Sequence, residues 1–310
     1  MLTRKPILLI GLLAVLLLSA CSGGSGDSEG GQLKVVTTIG QIADAVAIVG
    51  GEHVEVNGLM GAGVDPHLYV ATESDVTLLS EADVIFYNGL FLEAQMDDIL
   101  QQLGERKTSV AIGETIHPTR LLASPDYEDE HDPHIWFDLD LWSQAVSAIR
   151  DTLIEADPDN AAAYEANTEA YLSEIAALDE YVRDQAGKLT RDQRVLITAH
   201  DAFSYFGRAY DFEVLGLQGI STESEASTAD VRDLATLIAE RQVRAVFIES
   251  SVPVRNVEAL QEAVAAQGFN VEIGGELFSD AMGDPDTIEG TYLGMVRHNI
   301  DTIVAALLGE

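Results

Sequence analysis

The stretch Asn160–Leu189, NAAAYEANTEAYLSEIAALDEYVRDQAGKL, has no proline, and its one glycine comes three residues from the end. Its Tyr164, Tyr171, Ile175, Leu178 and Val182 recur at steps of three, four and seven, so one face packs while Glu and Asp line the rest. The run is long for a globular helix and predicts a rigid rod. Outward from it, strand and helix alternate on both sides. Before it, strands are expected at 33–39, 54–59, 84–87 and 109–112, with helices at 41–49, 72–79, 96–103 and 139–154. After it, strands are expected at 194–198, 213–218, 245–248 and 271–273, with helices at 200–210, 230–240, 256–265 and 291–308. Alternation of this kind argues for parallel sheets covered on both faces. The expected fold is α/β: two lobes, each a mainly parallel sheet flanked by helices, joined by one long rigid helix. The expected boundaries are 33–158 for the first lobe, 159–190 for the linking helix and 191–310 for the second lobe.

At the N-terminus, Arg4 and Lys5 precede the apolar run Ile7–Leu18, which closes on Leu18-Ser19-Ala20-Cys21. Charge, apolar run and small residues in that order are an export signal. The run is shorter than the roughly 20 apolar residues a bilayer-spanning helix needs. Residues 1–20 therefore read as a cleaved lipoprotein signal, and Cys21 as the lipid attachment site. Residues 21–32 are a Gly/Ser tether. Acylation there supplies the two-chain anchoring that stable membrane attachment requires, outside the cytoplasm. Cys21 is the chain's one cysteine, so neither a disulfide nor a thiolate metal cluster is available to the mature protein. The 17 basic and 52 acidic residues give a formal net charge of −35. That balance excludes nucleic acid and anionic lipid surfaces as partners and leaves cations as natural clients.

In open parallel sheets, ligands sit beyond the carboxyl ends of strands. Candidates in such places are His67 in Val64-Asp65-Pro66-His67, His134 in Asp132-Pro133-His134, His200 after the strand ending at Thr198, and Asp280 in Leu277-Phe278-Ser279-Asp280. The triplet Asp-Pro-His occurs twice, and proline presets the backbone ahead of each histidine. Three neutral imidazoles and one carboxylate form a four-ligand set for a divalent cation. Glu249, at the end of a strand, reads as an acceptor behind a ligand or as an alternative ligand. His53, His117, His131 and His298 have bland readings: a turn, a loop, an acidic loop and the exposed side of the last helix.

Taken together, Pro66-His67-Leu68-Tyr69, Asn88-Gly89-Leu90, Asp132-Pro133-His134-Ile135-Trp136, Thr198-Ala199-His200-Asp201-Ala202-Phe203, Gly216-Leu217-Gln218-Gly219-Ile220-Ser221 and Phe247-Ile248-Glu249-Ser250 resemble the metal-receptor subunits of ABC importers for zinc and manganese, in particular the TroA-like members. The resemblance spans nearly the whole mature chain. It implies a metal site in the cleft between the lobes, with His67 and His134 from the first lobe and His200 and Asp280 from the second. It also implies Zn2+ or Mn2+ as the transported ligand, an ABC permease and its ATPase as partners, and a monomeric receptor that is not an enzyme. The third ligand position is histidine in some members of that family and glutamate in others; histidine here leans the site toward zinc. The long His-rich acidic loop of many zinc-dedicated members is reduced to a short stretch near 126–132 with one histidine, which argues against exclusive zinc service.

Two other readings use the same residues. A zinc-dependent hydrolase also employs histidines and an acid, but the sequence has no His-Glu-x-x-His helix and no evident base beside the four. A surface adhesin, a role ascribed to relatives of this family, would need exposed apolar patches.

Overall fold

The computed structural model describes residues 31–125, 127 and 129–309. The first lobe is built on β1 (Leu33–Thr37), β2 (Val54–Gly58), β3 (Val84–Tyr87) and β4 (Thr108–Ala111). They form one parallel sheet in the order β2-β1-β3-β4, with Leu33 opposite Val54, Val35 opposite Val84 and Val84 opposite Thr108. In β1, consecutive Val35 and Val36 are both buried, as a strand covered on both faces requires. The covering helices are α1 (Gly40–Gly50), α2 (Glu73–Glu81) and α3 (Asp97–Gly104). The start of α2 is fixed by a capping box in which Thr72 and Asp75 satisfy each other's backbone N–H groups.

Two long helices follow, α4 (Leu139–Ala156) and α5 (Ala161–Ala186). The 26 residues of α5 span about 39 Å at 1.5 Å per residue. Its buried stripe is Tyr164, Thr168, Tyr171, Ile175, Leu178, Val182 and Ala186, and the helix packs against α1, α4 and the last helix. Gly187 ends the helix three residues before the expected limit, and a tight turn carries the chain to Leu189.

The second lobe comprises β5 (Val195–His200), α6 (Ser204–Tyr210), β6 (Glu213–Gln218), α7 (Thr228–Arg241), β7 (Ala245–Glu249), α8 (Arg255–Ala266), β8 (Glu272–Leu277) and α9 (Tyr292–Leu308). Strands β5 and β6 pair in parallel, as do β7 and β8, and β5 lies beside β7. One apolar core runs through both lobes around α5, so the lobes share buried surface and do not meet as two wet faces. Its cross-lobe members include Trp142 stacked on Tyr292 at 5.0 Å and Phe137 stacked on Phe203 at 4.3 Å. A second core, around Ile197, Val246 and Leu260, belongs to the second lobe alone.

Two elements differ from expectation. The helix expected from His200 begins at Ser204, and His200 is instead the last residue of β5, paired in register with Gln218. The strand expected to stop at Ile273 runs on to Leu277 through Gly274 and Gly275. A Cβ on Gly274 would lie 2.7 Å from the Ala306 side chain and 2.8 Å from Phe247, so glycine here serves close packing under α9 and not a turn. No helix among the described residues is long and apolar enough to cross a membrane. The expected signal segment, Cys21 and most of the tether lie outside the described residues.

Candidate metal centre

All four candidate ligands come together. One ligand atom each of His67, His134, His200 and Asp280 lies within 4.8 Å of all the others. His67 is carried by the loop after β2, His134 by the loop that leads into α4, His200 by the end of β5 and Asp280 by the loop after β8. All four are buried, with residual exposures of 2, 0, 0 and 1 %. Asp280 sits at the centre, its carboxylate 3.7 Å from His67 Nε2, 3.4 Å from His134 Nε2 and 3.2 Å from His200 Nε2.

These atoms make no hydrogen bond. The three Nε2 atoms and both Asp280 oxygens are buried without a hydrogen-bond partner and meet only one another, at 3.2–3.7 Å. A buried polar atom left unpaired costs on the order of 1–3 kcal/mol. Five such atoms facing one point suit a shared cation in place of protein partners.

Behind the ligands stands a set of carboxylates. Glu249 Oε2 lies 2.5 Å from His200 Nδ1, and Glu249 Oε1 accepts the His200 backbone N–H at 2.9 Å. Both Glu249 oxygens are thus taken by His200, which favours its reading as an acceptor behind a ligand over its reading as a ligand. Asp132 does the same for His134, with Nδ1 at 2.7 Å and the backbone N–H at 2.9 Å. A carboxylate behind the ring leaves Nε2 for the metal and makes the imidazole a stronger donor. Asp65 also accepts its own triplet's histidine N–H, at 2.9 Å, but its other oxygen takes the hydroxyl of Thr222 from the second lobe at 2.6 Å. The sequence reading credited the two prolines and missed the aspartates in front of them. The signal was present, because Asp side chains commonly accept the N–H two residues on.

The loops themselves are tied across the lobes. Gln41 Nε2 donates to the carbonyls of Ser279 and Asp280, and Trp136 Nε1 to that of Ser279. Asn88 Nδ2 donates to the Pro133 carbonyl at 3.0 Å, one residue before His134.

The electrostatics divide the histidines. Burial, with repulsion from His134 and His200, lowers His67 to about 3 against the pull of Asp280. Burial also opposes charge on His134, but Asp132 and Asp280 together outweigh it and raise that ring to about 9. His200 is likewise raised well above its usual range, since Glu249 and Asp280 outweigh burial. Asp280 is held well below the usual carboxylate range because His200 and His134 overcome its own burial.

The other histidines stay apart. His53 packs edge-on against Tyr164 at 5.9 Å, and the His117 ring faces Thr119. His131 pairs with Ala123 in an isolated antiparallel bridge. His298, expected on an exposed face, is half-buried against Phe278 with Nε2 3.0 Å from the Glu276 carbonyl oxygen.

Residues 35–306 match the family described as zinc-uptake complex component A, periplasmic. The zinc-binding protein TroA of Treponema pallidum is 54% identical over 285 residues, covering 92% of this chain and 92% of that protein. The manganese-binding lipoprotein MntA of Bacillus subtilis is 45% identical, covering 98% of this chain and 99% of that one. The solved structure of periplasmic TroA from Treponema pallidum superposes with a TM-score of 0.87, covering 89% of this chain and 99% of that chain.

Proposed function

The chain belongs to the zinc-uptake complex component A family and is a zinc- or manganese-binding substrate-binding protein of an ABC importer, and we propose that His67, His134, His200 and Asp280 hold the ion it carries. The single observation that supports this ligand set is the convergence of five buried nitrogen and oxygen atoms that make no hydrogen bond. Three imidazoles and one carboxylate complete a tetrahedral shell without water, and the Asp280 charge offsets half that of the ion.

Capture requires neutral rings. His67 is neutral near pH 7, whereas His134 and His200 each lose a proton to solvent as the ion takes its place on the ring. Release reverses this exchange. The ion is buried, so entry and exit need the lobes, taken as 33–158 and 191–310, to part by a small tilt about the linking helix 159–190. The shared apolar core supports a small movement over a wide opening. The permease receives the ion and a separate ATPase drives the step.

The absence of chemistry on the cargo is part of the same reading. A catalytic zinc keeps an open position and a nearby base. Here Asp132 and Glu249 each hold an imidazole Nδ1, the role of an acceptor behind a ligand and not that of a base beside an open position. Cys21 is the proposed acylation site of a monomeric, membrane-tethered receptor. The export signal in the sequence supports it, together with relatives named as lipoproteins. The test is a competitive titration of zinc and manganese on the mature protein and on His200→Ala. The substitution is expected to weaken zinc binding at least a hundredfold with the fold retained. Unchanged affinity refutes the ligand set.

A further inference from the structure

We infer that the loop Gly89–Phe91 is the surface on which the membrane permease seats, with Phe91 as its apolar anchor and Asn88 as the link to the His134 loop; this rests on the import reading above. Gly89, Leu90 and Phe91 have φ of +74°, +53° and +65°, three left-handed residues in a row, of which only the first is glycine. Side chains avoid that region unless the surroundings over-determine it. They do so here. The buried Glu93 carboxylate accepts the N–H groups of Asn88 (2.8 Å) and Gly89 (3.0 Å) and the hydroxyl of Thr38 (2.6 Å). From below, a Cβ on Gly113 would sit 2.8 Å from both the Asn88 carbonyl oxygen and Leu90 Cδ1, so the loop rests on bare backbone.

The product of this strain is a phenylalanine that is 60 % exposed. A side chain held rigidly in water at a backbone cost is pre-organised for a partner, and large aromatics are the commonest interface anchors. The loop leaves the same C-terminal edge of the first sheet as the His67 loop, whose Leu68 and Val70 are also exposed. Gln95, just beyond it, donates to Glu223 of the second lobe at 2.6 Å, which puts the segment at the seam of the lobes. Behind it, Asn88 is fully buried and holds the Pro133 carbonyl. Pressure on Phe91 therefore reaches the backbone one residue from a metal ligand.

Charge selects the occupant. Asp97 and Glu114 line the ≈ 230 Å³ cleft beneath Phe91, so the fitting partner offers an apolar socket with a basic rim. A second copy of a chain with net charge −35 is repelled, as is an anionic lipid surface. The permease remains, and it must face this edge to receive the ion.

The test uses the full acylated chain with its permease and ATPase in proteoliposomes and radioactive zinc as cargo. Phe91→Asn is the main variant, because asparagine tolerates the left-handed backbone. Expected are a raised thermal midpoint, a zinc Kd within about twofold of wild type, and transport at limiting receptor reduced at least tenfold. Phe91→Tyr restores transport to within about threefold. Asn88→Ala is expected to keep the half-saturating receptor concentration and lower the maximal rate. If wild type transports zinc and Phe91→Asn transports it equally well, or if Phe91→Asn melts lower, the anchor is overturned. An Asn88→Ala maximal rate equal to wild type overturns the link. Failure of wild type itself to support uptake refutes the import reading instead.

Discussion

The triplet Asp-Pro-His occurs at 65–67 and at 132–134, and the two copies do opposite electrostatic work. In both, the aspartate accepts the histidine N–H at 2.9 Å, so local geometry is the same. They diverge in what else each carboxylate reaches: Asp132 through the same oxygen, Oδ1, and Asp65 through its second, Oδ2. Asp132 turns onto the ring of its own histidine, and His134 rises to about 9. Asp65 turns to Thr222 in the other lobe; among the described residues no carboxylate backs the His67 ring, and His67 falls to about 3. One copy therefore stores a proton that the ion must displace. The other offers a ring that is neutral across the working range and is coupled to the second lobe. The identical triplet sets the turn, and what the carboxylate reaches beyond that turn sets the chemistry.

The largest expected effect separates the copies in the metal-free protein. His134→Ala strands the buried Asp132 and removes a cationic partner of Asp280, and is expected to destabilise by about 3–5 kcal/mol. His67→Ala removes a neutral ring from beside the same carboxylate and is expected to cost less than about 1 kcal/mol. Chemical denaturation of the two variants checks this, and equal losses would erase the distinction. Next in size, Asp132→Asn is expected to lower zinc affinity about 10–100-fold by weakening His134 as a donor. Asp65→Asn keeps a carbonyl for the His67 N–H, and a loss below about threefold is expected in the same titration.

The pH dependence of the metal-free protein should show both copies at once. His67 is depressed, so between its folded value of about 3 and the unfolded value of about 6.5 the unfolded state binds more protons, and stability rises with pH. His134 is raised, so its contribution is complete below about 6.5 and is lost as pH climbs through about 9. A stability maximum near pH 6.5 follows, and thermal melts from pH 4 to 10 measure it. In Asp132→Asn the alkaline decline should shrink while the acid limb stays. Saturating zinc should remove the alkaline decline, since the bound rings are neutral already. On the pH profile the smallest effect belongs to Thr222→Val, which removes one cross-lobe hydrogen bond worth about 0.5–1.5 kcal/mol and should leave that profile unchanged.

Much of this was legible before any coordinates. The 30-residue run 160–189 has the stripe that α5 buries, and periodicity located the alternating strands and helices on either side to within a few residues. Of the four proposed ligands, His67, His200 and Asp280 stand at strand ends, where parallel sheets leave their open loops, and His134 was marked by the repeated Asp-Pro-His triplet. What was not legible depends on contacts across sequence. His200 ends a strand, and Glu249, 49 residues away, holds both its backbone N–H and its ring. Nothing local to Ala199-His200-Asp201-Ala202, all helix-tolerant, announces that. The pairing of Asp65 with Thr222 bridges 157 residues, and Gln41 reaches Asp280 across 239. The strand expected at 271–273 runs on through Gly274 and Gly275, where α9 packs too close for a Cβ, a contact nothing local to the strand announces. The left-handed Leu90 and Phe91 likewise carry no sequence signature, since neither residue favours that backbone.

X-ray absorption at the zinc edge of the loaded mature protein tests the central claim most directly. Coordination by three imidazole nitrogens and one carboxylate oxygen predicts four light-atom ligands at about 2.0–2.2 Å, with the outer-shell scattering of three rings and no exchangeable water. His200→Ala should reduce that to two rings. A wild-type spectrum with fewer than three imidazoles, or one in which His200→Ala changes nothing, would contradict the account.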